Sequence, residues 1–212
     1  MERVVCLIIG YIFGLFQTGY LIGKVKHIDI RKEGSGNAGS TNAVRVMGWK
    51  AGLLTFAGDV LKCVLAIALV RVIFKDSDIK PLLAMYAGVG ATLGHNFPFY
   101  LKFKGGKGIA VLGGLVVATS PYMVPIPITA FLVAVIFTRY VSLGSLLASS
   151  MFFLEIVSFG QLGFFNMAKP AMYELYGLAA FIMILAWVRH SDNIKRLLKG
   201  NENRFGSKKA RI

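Results

Sequence analysis

Three polar stretches hold most of the residues in this chain that could do chemistry. The first is Gly34-Ser35-Gly36-Asn37-Ala38-Gly39-Ser40-Thr41-Asn42, continued by Ala43-Val44-Arg45. Residues 34–42 include no large side chain, so they cannot build a core. Glycine permits close backbone approach, and serine, asparagine and threonine add short hydrogen-bonding groups. Backbone amides in such a loop, ahead of a helix, can cradle an anion; a flexible polar loop is the alternative. The second stretch runs from Gly94-His95-Asn96-Phe97-Pro98 to Lys102-Phe103-Lys104-Gly105-Gly106-Lys107-Gly108. Its lysines alternate with glycines at the start of an apolar run, aiming amide dipoles and ammonium groups into one region. It is not a Walker A loop, which would need glycine at 101 and Ser or Thr at 108, where Leu101 and Gly108 stand. An anchor on anionic lipid would use the charge but not the glycines. The third stretch, Arg189-His190-Ser191-Asp192-Asn193 to Glu202, is basic and partly amphipathic, and an interfacial helix is its plainer reading. Arg139-Tyr140-Val141-Ser142 adds a short turn.

Several chemistries are poorly served. Metal-dependent phosphotransfer wants clustered carboxylates, but Asp29, Glu33, Asp192 and Glu202 are scattered, so no metal or cofactor is expected. Thioester-dependent acyltransferases of the histidine–aspartate type carry an aspartate five positions after the histidine. After His27, His95 and His190 that position holds Lys32, Tyr100 and Lys195. No serine sits in a GxSxG elbow. What remains is an electropositive, donor-rich site for one or two phosphate groups. Such a site could run acyl transfer from an already activated donor by desolvating, orienting and neutralising it.

The elements that must carry these residues lie in a bilayer. Of 212 residues 56% are hydrophobic and only 16% charged, with a mean hydropathy of +0.64; an ordinary soluble domain is about a quarter charged. Apolar runs span Val4–Gly23, Ala51–Ile73, Pro81–Asn96, Gly108–Thr138, Leu143–Gly160 and Ala171–Val188. The first is as long as a bilayer helix, and no cleavage site follows it. The fourth is too long for one span and too short for two full ones, and Pro121, Pro125 and Pro127 break it. Two short helices within 108–138 give seven transmembrane helices. Eighteen of the 24 Lys and Arg then fall on one side, in 24–50, 98–107, Arg139 and the C-terminal tail. That side is cytoplasmic, so the N-terminus lies outside and the C-terminus inside. The formal charge of +14 suits phosphorylated substrates or anionic lipid, and the apolar runs argue against nucleic acid. Cys6 and Cys63 lie in apolar runs as packing residues. GxxxG pairs at Gly10/Gly14, Gly19/Gly23 and Gly90/Gly94 predict close helix contacts. Asp59 and Lys62, three apart in one span, predict an internal ion pair. No repeat or second domain is visible: the fold class is an all-α integral membrane bundle, one domain over 1–212.

With those motifs in place the chain resembles the bacterial acyl-phosphate:glycerol-3-phosphate acyltransferases, the PlsY family. The resemblance covers the whole chain and rests on SGNAGSTNAVR at 35–45, GHNFPFYLKFKGGKG at 94–108 and RHSDNIKRLLKGNE at 189–202, with RYVSLGS at 139–145 and GDVLK at 58–62. Ser40 departs from the family's usual alanine, a small change. The resemblance implies transfer of a fatty acyl group from acyl phosphate, not acyl-CoA, to the 1-hydroxyl of sn-glycerol 3-phosphate. The products are lysophosphatidic acid and inorganic phosphate, the first acylation of phospholipid biosynthesis. It implies a multi-pass protein of the bacterial inner (plasma) membrane with a cytoplasmic active site and no obligatory protein partner. Ser35, Gly36, Asn37, Gly105, Gly106, Lys107 and Gly108 would bind the acyl phosphate. Thr41, Asn42, Arg45, Lys104, Ser142, His190 and Asn193 would receive glycerol 3-phosphate, with Lys104, Ser142, His190 and Asn193 also catalytic. The hydroxyl's proton would go to His190 or to a substrate phosphate. A membrane transporter or binding protein for an organophosphate is the alternative function.

Overall fold

The structure, a computed structural model, describes residues 1–206; Lys208, Lys209 and Arg211 of the basic tail lie outside the described residues. The described chain is helical, with no strand: α1 (Glu2–Gly14), α2 (Thr18–Val25), α3 (Ser40–Met47), α4 (Trp49–Ile73), α5 (Lys80–Asn96), α6 (Ile109–Thr119), α7 (Pro125–Thr138), α8 (Val141–Gln161), α9 (Lys169–Arg189) and α10 (Ser191–Leu198). Single 3-10 turns at Phe99–Leu101 and Pro121–Met123 flank α6. Five segments are long and apolar enough to cross a membrane: Glu2–Val25, Trp49–Ile73, Pro121–Thr138, Val141–Gln161 and Lys169–Arg189. At 17 residues α5 falls just short of them, and α6 has only 11. Isoleucines and phenylalanines on the outer faces, such as Ile12, Ile136 and Phe137, are exposed in the isolated chain; an apolar exterior on a helical bundle is a lipid-facing surface.

α5 lies inside the bundle against α1, α4, α6 and α9, and most of its residues are buried, from Leu82 to Asn96. Its small residues let other backbones come close. Gly10 and Gly14 of α1 meet Ala87 and Ala91 of α5, and Gly90 and Gly94 face Leu7 and Tyr11 in return. The expected Gly10/Gly14 and Gly90/Gly94 contacts are therefore two sides of one seam. The Gly19/Gly23 pair is divided: Gly19 meets the Ala38 carbonyl and Thr55 of α4, and Gly23 the Ile28 carbonyl, so this pair seats a loop as well as a helix.

The first apolar run is also not one helix. It breaks at Leu15–Gln17, where no proline stands. Side chains from elsewhere satisfy the freed carbonyls: Tyr100 Oη donates to Leu15 O at 2.6 Å, and Lys62 Nζ to Phe16 O at 2.8 Å. Gln17, 1% exposed, donates to Gly14 O and His95 O, each at 3.1 Å. The break thus stitches α1, α4 and α5 together directly beneath the glycine–lysine stretch.

The prolines split 108–138 as the sequence predicts. Ser120 Oγ accepts from Tyr122 N at 3.2 Å in the connecting turn. Although consecutive, the two halves take different partners: α6 packs on α4 and α7 on α8, and they make almost no contact with each other.

Candidate functional site

Between them lies a cavity of about 1100 Å³, reaching from the turn at 120–124 to the loops at the other end of the bundle. Its body is apolar, lined by residues such as Val116, Val124, Pro127 and Phe131. Its head is polar, and every sequence-predicted site residue except Gly106 lines it.

One wall of the head is the loop before α3, which is ordered and not a flexible tether. Asn42, 2% exposed, is its hub. Its Nδ2 donates to Ile30 O, Glu33 O and Asn37 O at 2.9–3.1 Å, and its Oδ1 accepts from Ser35 N at 2.9 Å. Gly36 turns the chain with φ +71, a conformation costly to residues with a Cβ. Asn37 Oδ1 accepts from Gly39 N at 2.8 Å. Asn42, which the sequence suggested as a glycerol 3-phosphate contact, lines the cavity while both polar atoms of its side chain shape the loop. The Ser35 hydroxyl, the Thr41 side chain and Arg45 face the cavity with no side-chain partner among the described residues. Asp29 is tied to Arg31 at 3.0 Å, and that hydrogen-bonded pairing holds its carboxyl below the usual range.

The opposite wall is the 102–108 loop. Lys102 and Phe103 both adopt left-handed φ, 54 and 60, turning the chain so that Lys104 lines the cavity. Two of the four amides expected to face an acyl phosphate are used inside the protein: Gly105 N donates to Asn96 O at 3.2 Å and Gly106 N to His95 O at 3.1 Å. Their carbonyls accept from Arg189 Nη2 at 3.3 and 2.9 Å. Gly106 is packed against the His95 ring, which is why it is glycine and why it does not line the site. Gly108, at φ +82, caps α6. The amides of Lys107, Gly108 and Ile109 donate no hydrogen bond among the described residues and stand at the N-terminus of α6, where the helix dipole favours an anion.

The third wall comes from α8, α9 and α10. Ser142 Oγ is buried with no hydrogen-bond partner, an arrangement that otherwise costs about 1–3 kcal/mol. His190, 4% exposed, makes a 2.7 Å hydrogen bond from Nδ1 to Ala186 O, which fixes the neutral ring with Nε2 as the acceptor. Burial, and then the neighbouring Lys107, push its pKa down to about 4. Lys107 bonds to Asn193 Oδ1, while Asn193 Nδ2 donates to Glu202 Oε1 at 2.7 Å and Arg196 Nε to Glu202 Oε2 at 2.7 Å. Burial lowers Lys107 to about 8. Asn193 is thus held between Lys107 and Glu202, a positioning role that the sequence reading did not give it.

Under the head lies a network that sequence revealed only in part. The expected Asp59–Lys62 pair forms at 2.8 Å, but Lys62 Nζ also donates to His95 Nδ1 at 2.8 Å and to Phe16 O. All its donors are engaged. Thr18 Oγ1 adds a bond to Asp59 at 3.3 Å. His95, whose ring backs Gly106, belongs to this support. Arg189, Arg196, Glu202 and Gln17 are further residues that sequence reasoning did not place at the site. Glu202, an acid in a basic stretch whose other acid is Asp192, was the available signal for one of them. Among the described residues no three His, Cys, Asp or Glu side chains gather as a metal site.

A family model described as glycerol-3-phosphate acyltransferase matches residues 4–200. Proteins named glycerol-3-phosphate acyltransferase from Shouchella clausii (strain KSM-K16) and Thermoanaerobacter sp. (strain X514) are 41% and 39% identical to this chain, with 99% and 98% of each partner covered. The crystal structure of PlsY (YgiH), described as an integral membrane glycerol 3-phosphate acyltransferase in its glycerol 3-phosphate form, matches with a TM-score of 0.84 at 34% identity, covering 97% of this chain and 96% of that one.

Proposed function

This chain belongs to the glycerol-3-phosphate acyltransferase family, and we propose that its donor is an acyl phosphate and its acceptor the 1-hydroxyl of sn-glycerol 3-phosphate. The products would be lysophosphatidic acid and inorganic phosphate. The carrying observation is one cavity with a cationic, donor-rich head and an apolar body. The head suits two phosphates and the body suits a fatty chain. Among the described residues no cysteine lines the cavity and no serine there has an imidazole partner, and the reading uses no acyl-enzyme. The relative's glycerol 3-phosphate form supports the acceptor.

In this reading the amides of Lys107, Gly108 and Ile109, with the Lys107 ammonium and the Ser35 and Asn37 side chains, hold the acyl phosphate. Gly36, Gly105 and Gly106 shape the walls that carry these groups. Arg45, Lys104 and Thr41 take the phosphate of glycerol 3-phosphate, and Ser142 Oγ donates to a substrate oxygen. His190 Nε2 accepts a hydrogen bond from the attacking hydroxyl and aims it at the acyl carbonyl. An imidazole with its pKa pushed to about 4 is a weak base, so the proton ends on the departing phosphate, a stronger one. The C–O bond to glycerol forms as the C–O bond to phosphate breaks, and the developing charge falls among preorganised donors.

Counting α5 and α6 as crossings gives seven. The polar segments then lie together at the cytoplasmic face of a bacterial inner membrane, with the N-terminus outside, as one membrane-embedded domain. Purified protein in detergent, given palmitoyl phosphate and glycerol 3-phosphate, is expected to release phosphate and form lysolipid, whereas palmitoyl-CoA yields neither. Turnover with palmitoyl-CoA and none with palmitoyl phosphate overturns the donor assignment.

A further inference from the structure

The apolar body of the cavity has a definite end. The lining residues nearest the α6–α7 turn are Val116 and Val117 on α6 and Val124, the residue just before α7. The chain crosses there from α6 to α7 through Pro121–Met123, so the two helices that flank the cleft are joined at that end. Met123 is fully buried in this turn and Val116 is only 5% exposed, whereas Val117, Ile128 and Leu132 on the rim are 45%, 49% and 46% exposed. The cleft is therefore open along its side, between two helices that do not pack on each other, and bridged by the chain at its foot. From Gly108 to Val117 is nine helical steps, about 13 Å at ~1.5 Å per residue. An extended zigzag chain advances ~1.2 Å per bond, as the ~3.6 Å for three bonds of extended polypeptide shows. The cleft thus holds about eleven bonds beyond the reacting carbonyl.

Resting on the reading above, in which this cavity takes an acyl chain, we infer that the 120–124 turn is a stop for that chain. Val116 and Val124 are the specificity-determining residues that meet its methyl end. Chains of about twelve carbons fill the cleft. Shorter ones leave apolar wall exposed, and longer ones must bend out across the Val117–Ile128 rim. The contact is continuous with the polar head in one cavity, so the phosphate end fixes where counting begins.

The test compares kcat/KM for saturated acyl phosphates of graded length, from eight to eighteen carbons, in the wild type, Val124→Phe and Val116→Ala. The expected optimum lies near twelve carbons in the wild type. Val124→Phe raises the floor and shifts the optimum to shorter chains; Val116→Ala lowers it and shifts the optimum to longer ones. The ratio of short- to long-chain donors should move by about tenfold in opposite directions, the range one or two methylenes command in an apolar pocket. Superimposable length profiles in all three proteins, or shifts of the wrong sign, overturn the stop. A second arm measures protection of the same proteins against thermal unfolding by lysophosphatidic acids of graded length, with no donor present. If no acyl phosphate is turned over at any length, the donor reading fails while this arm still decides the stop. Should Val124→Phe fail to fold, Val116→Ala alone decides by the direction of its shift.

Discussion

The α1–α5 seam and the α6–α7 cleft are both built from apolar helices rich in small residues, yet one is closed to backbone contact and the other is left open. At the seam, a Cβ added to Gly10 would lie inside the Ala87 carbonyl, and one on Gly90 would strike Leu7 O. In the cleft the two glycines of α6 divide the roles. Gly114 presses on Val60 and Cys63 of α4, while Gly113, one residue away, lines the cavity and has its nearest neighbour at 3.8 Å. A small residue brings helices together only where a partner backbone is present to fill the space. Where the partner leans elsewhere, as α7 does toward α8, the same residue makes room for a substrate.

The sharpest way to break this contrast is to place one large side chain in each region. Gly10→Leu should cost about 3 kcal/mol or more by overpacking the seam, and little folded protein should survive in detergent. Gly113→Leu should melt within a few degrees of wild type but lose most long-chain turnover. Equal melting losses for both would erase the distinction. The next effect concerns the support beneath the head. Lys62→Met leaves Asp59, His95 Nδ1 and Phe16 O without their cation and should destabilise the fold by roughly 3–5 kcal/mol, as breaking a buried pair does; thermal melts in detergent measure it. A variant as stable as wild type would remove the network from the account of why the head is rigid.

Two smaller effects probe the head itself. His190→Ala should lower kcat by about 10²-fold, the low end of what a positioned acid–base group contributes, because Nε2 orients the hydroxyl and does not keep its proton. His190→Gln, which keeps an acceptor, should recover part of this; equal loss in both would remove the acceptor role from Nε2. The smallest effect is in pH. Lys107 has its pKa lowered to about 8 by burial, so it loses its charge as pH rises through that value. Binding of an anionic donor should then weaken, and kcat/KM should fall above about pH 8 by up to tenfold. Lys107→Arg keeps its charge and should move that fall to higher pH; an unchanged profile would free Lys107 from the donor site.

The polar segments announced themselves because a bilayer protein has few reasons to keep glycine, lysine and asparagine in runs. Ser35, Arg45, Lys104, Ser142 and His190, singled out in the sequence, all line the head. Less legible was which groups remain available to a ligand. Asn42 and Asn193 look in sequence like binding residues, yet their amides are occupied within the protein. Gly105 and Gly106 look like donors, yet both amides are taken by the end of α5. Such occupancy depends on neighbours elsewhere in the chain, as when His95 O accepts from Gly106 N, Glu202 Oε1 from Asn193 Nδ2, or Asn193 Oδ1 from Lys107 Nζ.

Hydropathy and charge alone determined the membrane class and the clustering of basic segments, because burial in lipid penalises each charge locally wherever it stands in the chain. The prolines marked where 108–138 divides into two short helices, because proline is tolerated in a helix's first turn, where Pro125 and Pro127 stand, but not in its interior. Only the tertiary structure decided that α1 breaks at Leu15–Gln17 without a proline, since that break survives through Tyr100, Lys62 and Gln17. Only the tertiary structure, too, decided that α6 and α7 part from each other. Their separation depends on how well α4 and α8 fit them, a competition between surfaces that no single segment encodes.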